Sequence, residues 1–139
     1  MSRRGYLLVT AGGRAIGLAV EGVVEVFTPS TAWPVPARSP ALRGVVPVRG
    51  RLVPLVHLGA LLGGTCPAEQ GDVAVLVDVP RPIALEVESA EAVIHESLLP
   101  PPEGEQLPWA VGLAARAAGP VPVLDLAAVL ARLVAVESA

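Results

Sequence analysis

The chain contains no lysine and no asparagine, and its 139 residues include one cysteine, one phenylalanine, one tyrosine and two tryptophans. Each shortage removes a class of function. The single cysteine, Cys66, permits no internal disulfide. Its setting, GGTCPAEQG, supplies no basic neighbour to activate the thiol. Four aromatic residues and ten scattered arginines provide neither the stacking platforms nor the basic stripe of a nucleic-acid binder. His57, His95 and Cys66 stand too far apart for a zinc pattern. The Gly-rich steps Gly12-Gly13 and Gly63-Gly64 lack the lysine and spacing of a phosphate loop, and no dinucleotide fingerprint or nucleophile elbow occurs. Glu86, Glu88 and Glu91 read as a solvated charged face, not as paired catalytic carboxylates. The expectation is a protein that is not an enzyme and uses neither metal nor cofactor. No apolar run reaches the ~18 residues of a membrane span. Arg3 and Arg4 precede an apolar stretch, but Gly12-Gly13-Arg14 cuts it short, so it reads as a strand and not a leader. A cytoplasmic protein with no membrane insertion is expected.

What is present is aliphatic. Hydrophobic residues make up 53%, mean hydropathy is +0.61, and only 17% of residues are charged, with net charge −3. Apolar surface left outside such a core marks protein contacts. Fifteen prolines and 14 glycines divide the chain into short pieces. Tyr6–Ala11 and Ala15–Ala19 flank Gly12-Gly13, a hairpin signal. VEGVVEV at 20–26 fits a short helix with Val20, Val23, Val24 and Phe27 on one face, and equally fits a strand. Residues 28–40, with four prolines, read as an ordered loop anchored by Trp33. Leu42–Leu62, LRGVVPVRGRLVPLVHLGALL, is the most informative stretch: two Val/Leu strands joined at an Arg-Gly turn and running into a short helix. Pro47 and Pro54 place those strands at edges or breaks, because proline cannot donate to a ladder.

A connector near 63–71 follows, then a hairpin of 72–79 and 83–87 around Pro80-Arg81-Pro82. Within it, Ile83, Leu85 and Val87 face one way, Ala84 and Glu86 the other. A short strand at 92–94, a Pro-rich acidic loop at 98–108 and a third hairpin around Ala118-Gly119-Pro120 come next. The terminal helix, over 125–136, has Asp125 as N-cap and Leu126, Val129, Leu130, Leu133 and Val134 as its apolar stripe. About nine short strands with regular turn signals indicate a mainly β architecture of small barrels.

In this order the segments resemble CheW, the coupling-protein family that joins chemoreceptors to the histidine kinase CheA. The resemblance runs over nearly all of Tyr6–Leu133. It is carried by IGLAVEGVVEV (16–26), by GVVPVRGRLVPLVHL (44–58), loosely by 84–93, then by Leu99-Pro100-Pro101-Pro102, Val111-Gly112-Leu113 and Val123-Leu124-Asp125-Leu126 with the closing helix. It implies one CheW-like domain over 1–139: two intertwined five-stranded SH3-like β-barrel subdomains around a shared apolar core, with short helices and a C-terminal helix. The chain departs from the family pattern at Pro47 (usually Asn), His57 (often Asp), Ala84 (normally Gly) and Glu86 (normally apolar). Those departures point to a divergent member.

The implied function is an adaptor with two partners. The helical hairpin tip of a methyl-accepting chemoreceptor is expected on Val23, Glu25, Val45, Val48 and Arg49. The regulatory domain of a CheA-type kinase is expected on a barrel edge in the 73–93 half. Arg49 has a second reading, as an internal stitch between barrels, and Val23, Val45 and Val48 a second reading as core. His57 reads as a substituted turn or surface residue. Two other functions stand beside the adaptor: a CheW-like protein that binds receptor but not kinase, insulating one pathway from another, and a small-ligand-binding β-barrel sensor. The second needs an internal cavity, which small Ala and Val side chains argue against.

Overall fold

The computed structural model describes residues 3–78, 81–100 and 107–138. Its strands are β1 (Arg4–Ala11), β2 (Arg14–Ala19), β3 (Val23–Phe27), β4 (Leu42–Val48), β5 (Arg51–His57), β6 (Val73–Asp78), β7 (Pro82–Val87), β8 (Ser89–Glu96), β9 (Leu98–Leu99), β10 (Ala110–Ala114) and β11 (Val121–Leu124). Helix α1 covers Leu58–Leu61, and α2 covers Leu126–Ser138. The strands form two sheets. A six-stranded sheet runs β8-β1-β2-β11-β10-β9, and a five-stranded sheet runs β3-β6-β7-β5-β4. Each contains one parallel contact, β11 with β2 and β5 with β7; the other neighbours are antiparallel.

The strands are aliphatic on both faces because both faces are covered. Leu7, Val9 and Ala11 of β1 point into a core shared by the two sheets, as do Val75 and Val77, Leu85 and Val87, and Val56. The alternate positions fill a separate interior. Ala74, Leu76, Ala84, Val53, Leu55 and Val46 pack inside the five-stranded sheet. Tyr6, Ala114 and Val123 pack inside the six-stranded one. Three apolar clusters thus correspond to the expected arrangement of two β subdomains around a common core. The alternation read in 83–87 holds, but its outcome differs. The second face is not solvent; it is the inside of the sheet, and Glu86 is 4% exposed.

The sheets' hairpins follow local chemistry. Gly12 and Gly13 turn β1 into β2 with φ of +60° and +74°, values that cost glycine little. Residues 20–26 resolve the helix-or-strand ambiguity by dividing: one 3-10 turn at Val20–Gly22, then β3. A bulge between Val23 and Glu25 lets Val23 pack on the shared core while Phe27 packs inside the five-stranded sheet. Pro47 lies on the edge strand β4, and Pro54 lies just before the parallel ladder of β5 with β7 begins at Leu55.

Three expectations need correction. Trp33 is 61% exposed, so its ring anchors nothing. Its backbone does the anchoring, exchanging hydrogen bonds with Val45 at 2.9 and 3.0 Å. The buried tryptophan is Trp109, with the Arg14 guanidinium 5.7 Å from its ring centroid. A short strand, Leu98–Leu99, stands where only a loop was expected. In α2 the Asp125 carboxylate accepts from Ala128 N at 3.1 Å, as an N-cap should, and Val129, Leu130 and Leu133 are buried. Val134, however, is 63% exposed and lies outside the stripe. The Pro80 turn and residues 101–106 fall outside the described residues.

Candidate functional site

The Arg49-Gly50 step is a two-residue turn closing the pair Val48–Arg51. Both residues have positive φ, +50° and +80°, the backbone that matches the twist of a tight hairpin. Among the described residues Arg49 is the only non-glycine with positive φ. A Cβ in that region costs about 1 kcal/mol, and Asn or Gly would avoid most of it. An arginine that tolerates this strain is held at the tip with its side chain 70% exposed.

The sheet's topology gives that side chain a partner. β3 and β4 are the two edges of the five-stranded sheet. The Arg49 guanidinium nonetheless lies 3.1 Å from Glu25 Oε1 on β3, so the ion pair crosses from one edge of the sheet to the other. An exposed pair of this kind contributes ~0–1 kcal/mol. It orients Arg49 more than it stabilises the fold.

The other expected site residues divide. Val48 is half-buried and packs inside the five-stranded sheet behind the turn. Val23 is half-buried on the shared core, two positions before Glu25, with Val24 exposed at the bulge between them. Val45 is joined instead to the loop through Trp33. Gly44 permits that approach: a Cβ there would lie 2.1 Å from the Trp33 carbonyl oxygen, and its φ is +146°.

A second polar group sits at the opposite end of the same strands, and there two residues are more buried than the sequence suggests. Arg43 on β4 and Glu86 on β7 make a bidentate pair: Nε donates to Oε1, and Nη2 donates to Oε2 at 3.1 Å. Their side chains are 11% and 4% exposed. The same groups hold the connector, with Arg43 Nη2 donating to Glu69 O at 3.0 Å and Gly71 N donating to Glu86 Oε2 at 3.1 Å. The Glu86 hydrogen bond pushes the Arg43 guanidinium's pKa up.

His57 is no surface residue. It is 7% exposed and caps α1, its Nδ1 accepting from Ala60 N at 3.0 Å. That bond places the proton of the neutral ring on Nε2, which lies 3.8 Å from Glu86 Oε2. Burial holds its pKa below the ordinary imidazole value. Glu86, Glu88 and Glu91 therefore do not form one solvated face. Glu86 is buried, Glu88 accepts from Gly13 N at 2.9 Å, and Glu91 accepts from Thr10 and Ser89 hydroxyls at 3.4 and 3.3 Å. The signal available in the sequence was a single Arg in LRGVV and a single Glu in IALEV: opposite charges inside two otherwise apolar strands.

Among the described residues no three His, Cys, Asp or Glu side chains gather as metal ligands. No helix among them is long and apolar enough to cross a membrane. An apolar cleft of about 330 Å³, lined by Val23, Val77 and Leu126 among others, opens to solvent between the sheets.

Comparison with known proteins bears on the fold and the family. Among curated proteins nothing matches. A solved structure, that of the scaffolding protein TtCheW from Thermoanaerobacter tengcongensis, superposes with a TM-score of 0.77 over 91% of this chain and 86% of that one, at 19% identity. The likeness establishes the shared fold. A family description, the CheW-like domain, matches residues 5–134. That span covers most of the sequence, and the chain belongs to the CheW-like domain family.

Proposed function

We propose that this protein is a non-enzymatic adaptor that couples a chemoreceptor to a CheA-type histidine kinase. Family membership supports a scaffolding role. The observation that carries the finer reading is Arg49: strained, exposed, and oriented by Glu25 at the rim of the five-stranded sheet. Arginine is enriched among interface hot spots, where a preoriented guanidinium loses little freedom on binding.

On this reading the helical hairpin tip of the receptor lies across Arg49 and Glu25, with Val23 and Val48 as apolar floor and Val45 fixing the neighbouring loop. The kinase's regulatory domain packs on an edge of the 73–93 half. β8 supports this assignment: it is an edge strand with Val93 52% exposed. The adaptor then acts by geometry, setting the spacing of receptor and kinase. Each contact is weak, and repetition in an assembly supplies avidity.

The departures at His57 and Glu86 support ordinary coupling more than a specialised partner. Both side chains are buried: Glu86 pairs with Arg43, and His57 caps α1 and lies 3.8 Å from Glu86. A binding assay with the receptor tip and the kinase regulatory domain of the same organism tests the proposal. Binding of both supports it. Binding of receptor alone favours the insulating adaptor, and binding of neither overturns the coupling role.

A further inference from the structure

A second cleft, of about 700 Å³, opens at the end of the five-stranded sheet away from Arg49. It is bounded by the Gly12 turn, the end of β5, the 64–72 connector and the junction of β7 with β8. The connector is tied down. Arg43 Nη2 donates to Glu69 O and Gly71 N to Glu86 Oε2, while the Gln70 amide bonds Ala32 N and Ser30 O at 2.9 and 2.8 Å. The cleft is thus formed before anything enters it, and its volume is that of a small-molecule site. In its wall lies a donor with no acceptor. The His57 side chain is 10% exposed, and its Nδ1 is committed to the α1 cap. The proton on Nε2 has no hydrogen-bond partner among the described residues, because Glu86 Oε2, at 3.8 Å, is out of reach. Among those residues the Tyr6 hydroxyl is the one unpartnered side-chain atom sealed from solvent, so Nε2 keeps surface open to the cleft.

The chemistry around that donor defines the partner. Burial keeps the ring neutral at pH 7, so Nε2 offers one proton, and that proton denies a metal ion the nitrogen's lone pair. The gap to Glu86 admits one oxygen that accepts from Nε2–H and donates to the carboxylate. Hydrogen bonds from Arg43 and Gly71 leave Glu86 about one acceptor site free for it. The walls add charge of one sign: Glu69, Asp72 and Glu88 line the cleft beside Glu86, and no arginine does. Glu88 is engaged by Gly13 N, but Glu69 and Asp72 are exposed and have no ion-pair partner among the described residues. An anion is therefore disfavoured. A plain alkylammonium suits the acids but has no acceptor for His57. We propose that this cleft binds a small cationic amine that also carries hydroxyl groups, one hydroxyl lodging between His57 and Glu86 and the ammonium lying against Glu69 and Asp72. Such binding goes beyond the adaptor reading and does not rest on it.

Three six-membered-ring probes separate the two requirements. Glucosamine has the cation and the hydroxyls, glucose lacks the cation, and cyclohexylamine lacks the hydroxyls. Each is titrated into the full chain at pH 7 and followed by backbone amide resonances. Glucosamine should saturate shifts at Gly12, Gly64, Gly71 and Val73 and bind at least about 3-fold more tightly than either other probe. His57→Asn keeps a capping side chain but withdraws the Nε2–H donor. It should weaken glucosamine by about 3- to 10-fold, the value of one net hydrogen bond, and leave cyclohexylamine unchanged. Glu69→Gln/Asp72→Asn, at two exposed positions, should weaken both amines by about 3- to 10-fold and leave glucose unchanged. The proposal is overturned if glucosamine gives no saturable shifts at the cleft, solvent alone then filling the gap, or if glucose binds as tightly as glucosamine. It is also overturned if a folded His57→Asn keeps the full preference for glucosamine over cyclohexylamine. Should His57→Asn unfold, the pair of exposed acids decides: undiminished amine binding in that double variant overturns the proposal. None of these outcomes depends on receptor or kinase binding, so failure here and failure of the adaptor reading are separable.

Discussion

Breaking the Arg43–Glu86 pair should be among the most damaging polar substitutions in the molecule, while replacing it whole should be harmless. Glu86→Leu leaves the guanidinium, 11% exposed, facing apolar strands, and strips the Gly71 N–H of its acceptor. Arg43→Met leaves a carboxylate 4% exposed with one backbone donor and a neutral imidazole 3.8 Å away. Removing one partner of such a pair typically costs about 3–5 kcal/mol. Against a total stability of about 5–15 kcal/mol, either single change removes a large fraction. The double change Arg43→Met/Glu86→Leu removes both charges and leaves two apolar side chains between β4 and β7. It should lie within about 1 kcal/mol of wild type or above it. Urea unfolding at neutral pH measures all three, with an unchanged m-value required for comparison. Single variants that each cost under about 1 kcal/mol would refute the reasoning, as would a double variant equal to the sum of the singles.

Three further predictions follow from the same contacts. His57 has a folded pKa below its unfolded 6.5 because it is buried, so its contribution to stability is complete above pH 6.5 and is lost as pH falls from 6.5 toward the folded value; His57→Asn, which retains an N-capping side chain, should flatten this slope in pH-dependent unfolding. Gly44→Ala should cost at least about 3 kcal/mol and expose the 28–40 loop to protease, because the added Cβ collides with the Trp33 carbonyl and breaks the backbone exchange with Val45. Asp125→Ala should cost about 1 kcal/mol through loss of the α2 cap and raise amide exchange at Ala128.

What the sequence reveals divides by range. The Gly12-Gly13 and Arg49-Gly50 turns, the alternation of 83–87 and the Asp125-capped helix depend on residues within a few positions of one another, and each is legible. VEGVVEV was ambiguous because its valines satisfy both the helical and the strand period; pairing with β6, some fifty residues away, decides it. His57 and Glu86 were misread because burial of a charge depends on a partner. Arg43 lies 43 residues from Glu86 in the chain, and no local pattern announces that they meet. The Glu25–Arg49 contact is legible only once the two edges of the five-stranded sheet are known to approach. The apolar cleft between the sheets draws its walls from both sheets and α2, so composition could not show it.

The adaptor reading stands or falls on Arg49, and Arg49→Gly separates contact from stitch. Glycine accepts φ of +50° without strain, so the turn should keep its shape and the melting temperature should stay level or rise. Loss of the exposed Glu25 pair subtracts less than about 1 kcal/mol. Calorimetric titration with the receptor hairpin tip should then show affinity falling by about 30-fold, the equivalent of a 2 kcal/mol hot spot. Undiminished affinity, or a loss of binding that merely accompanies unfolding, would contradict the account.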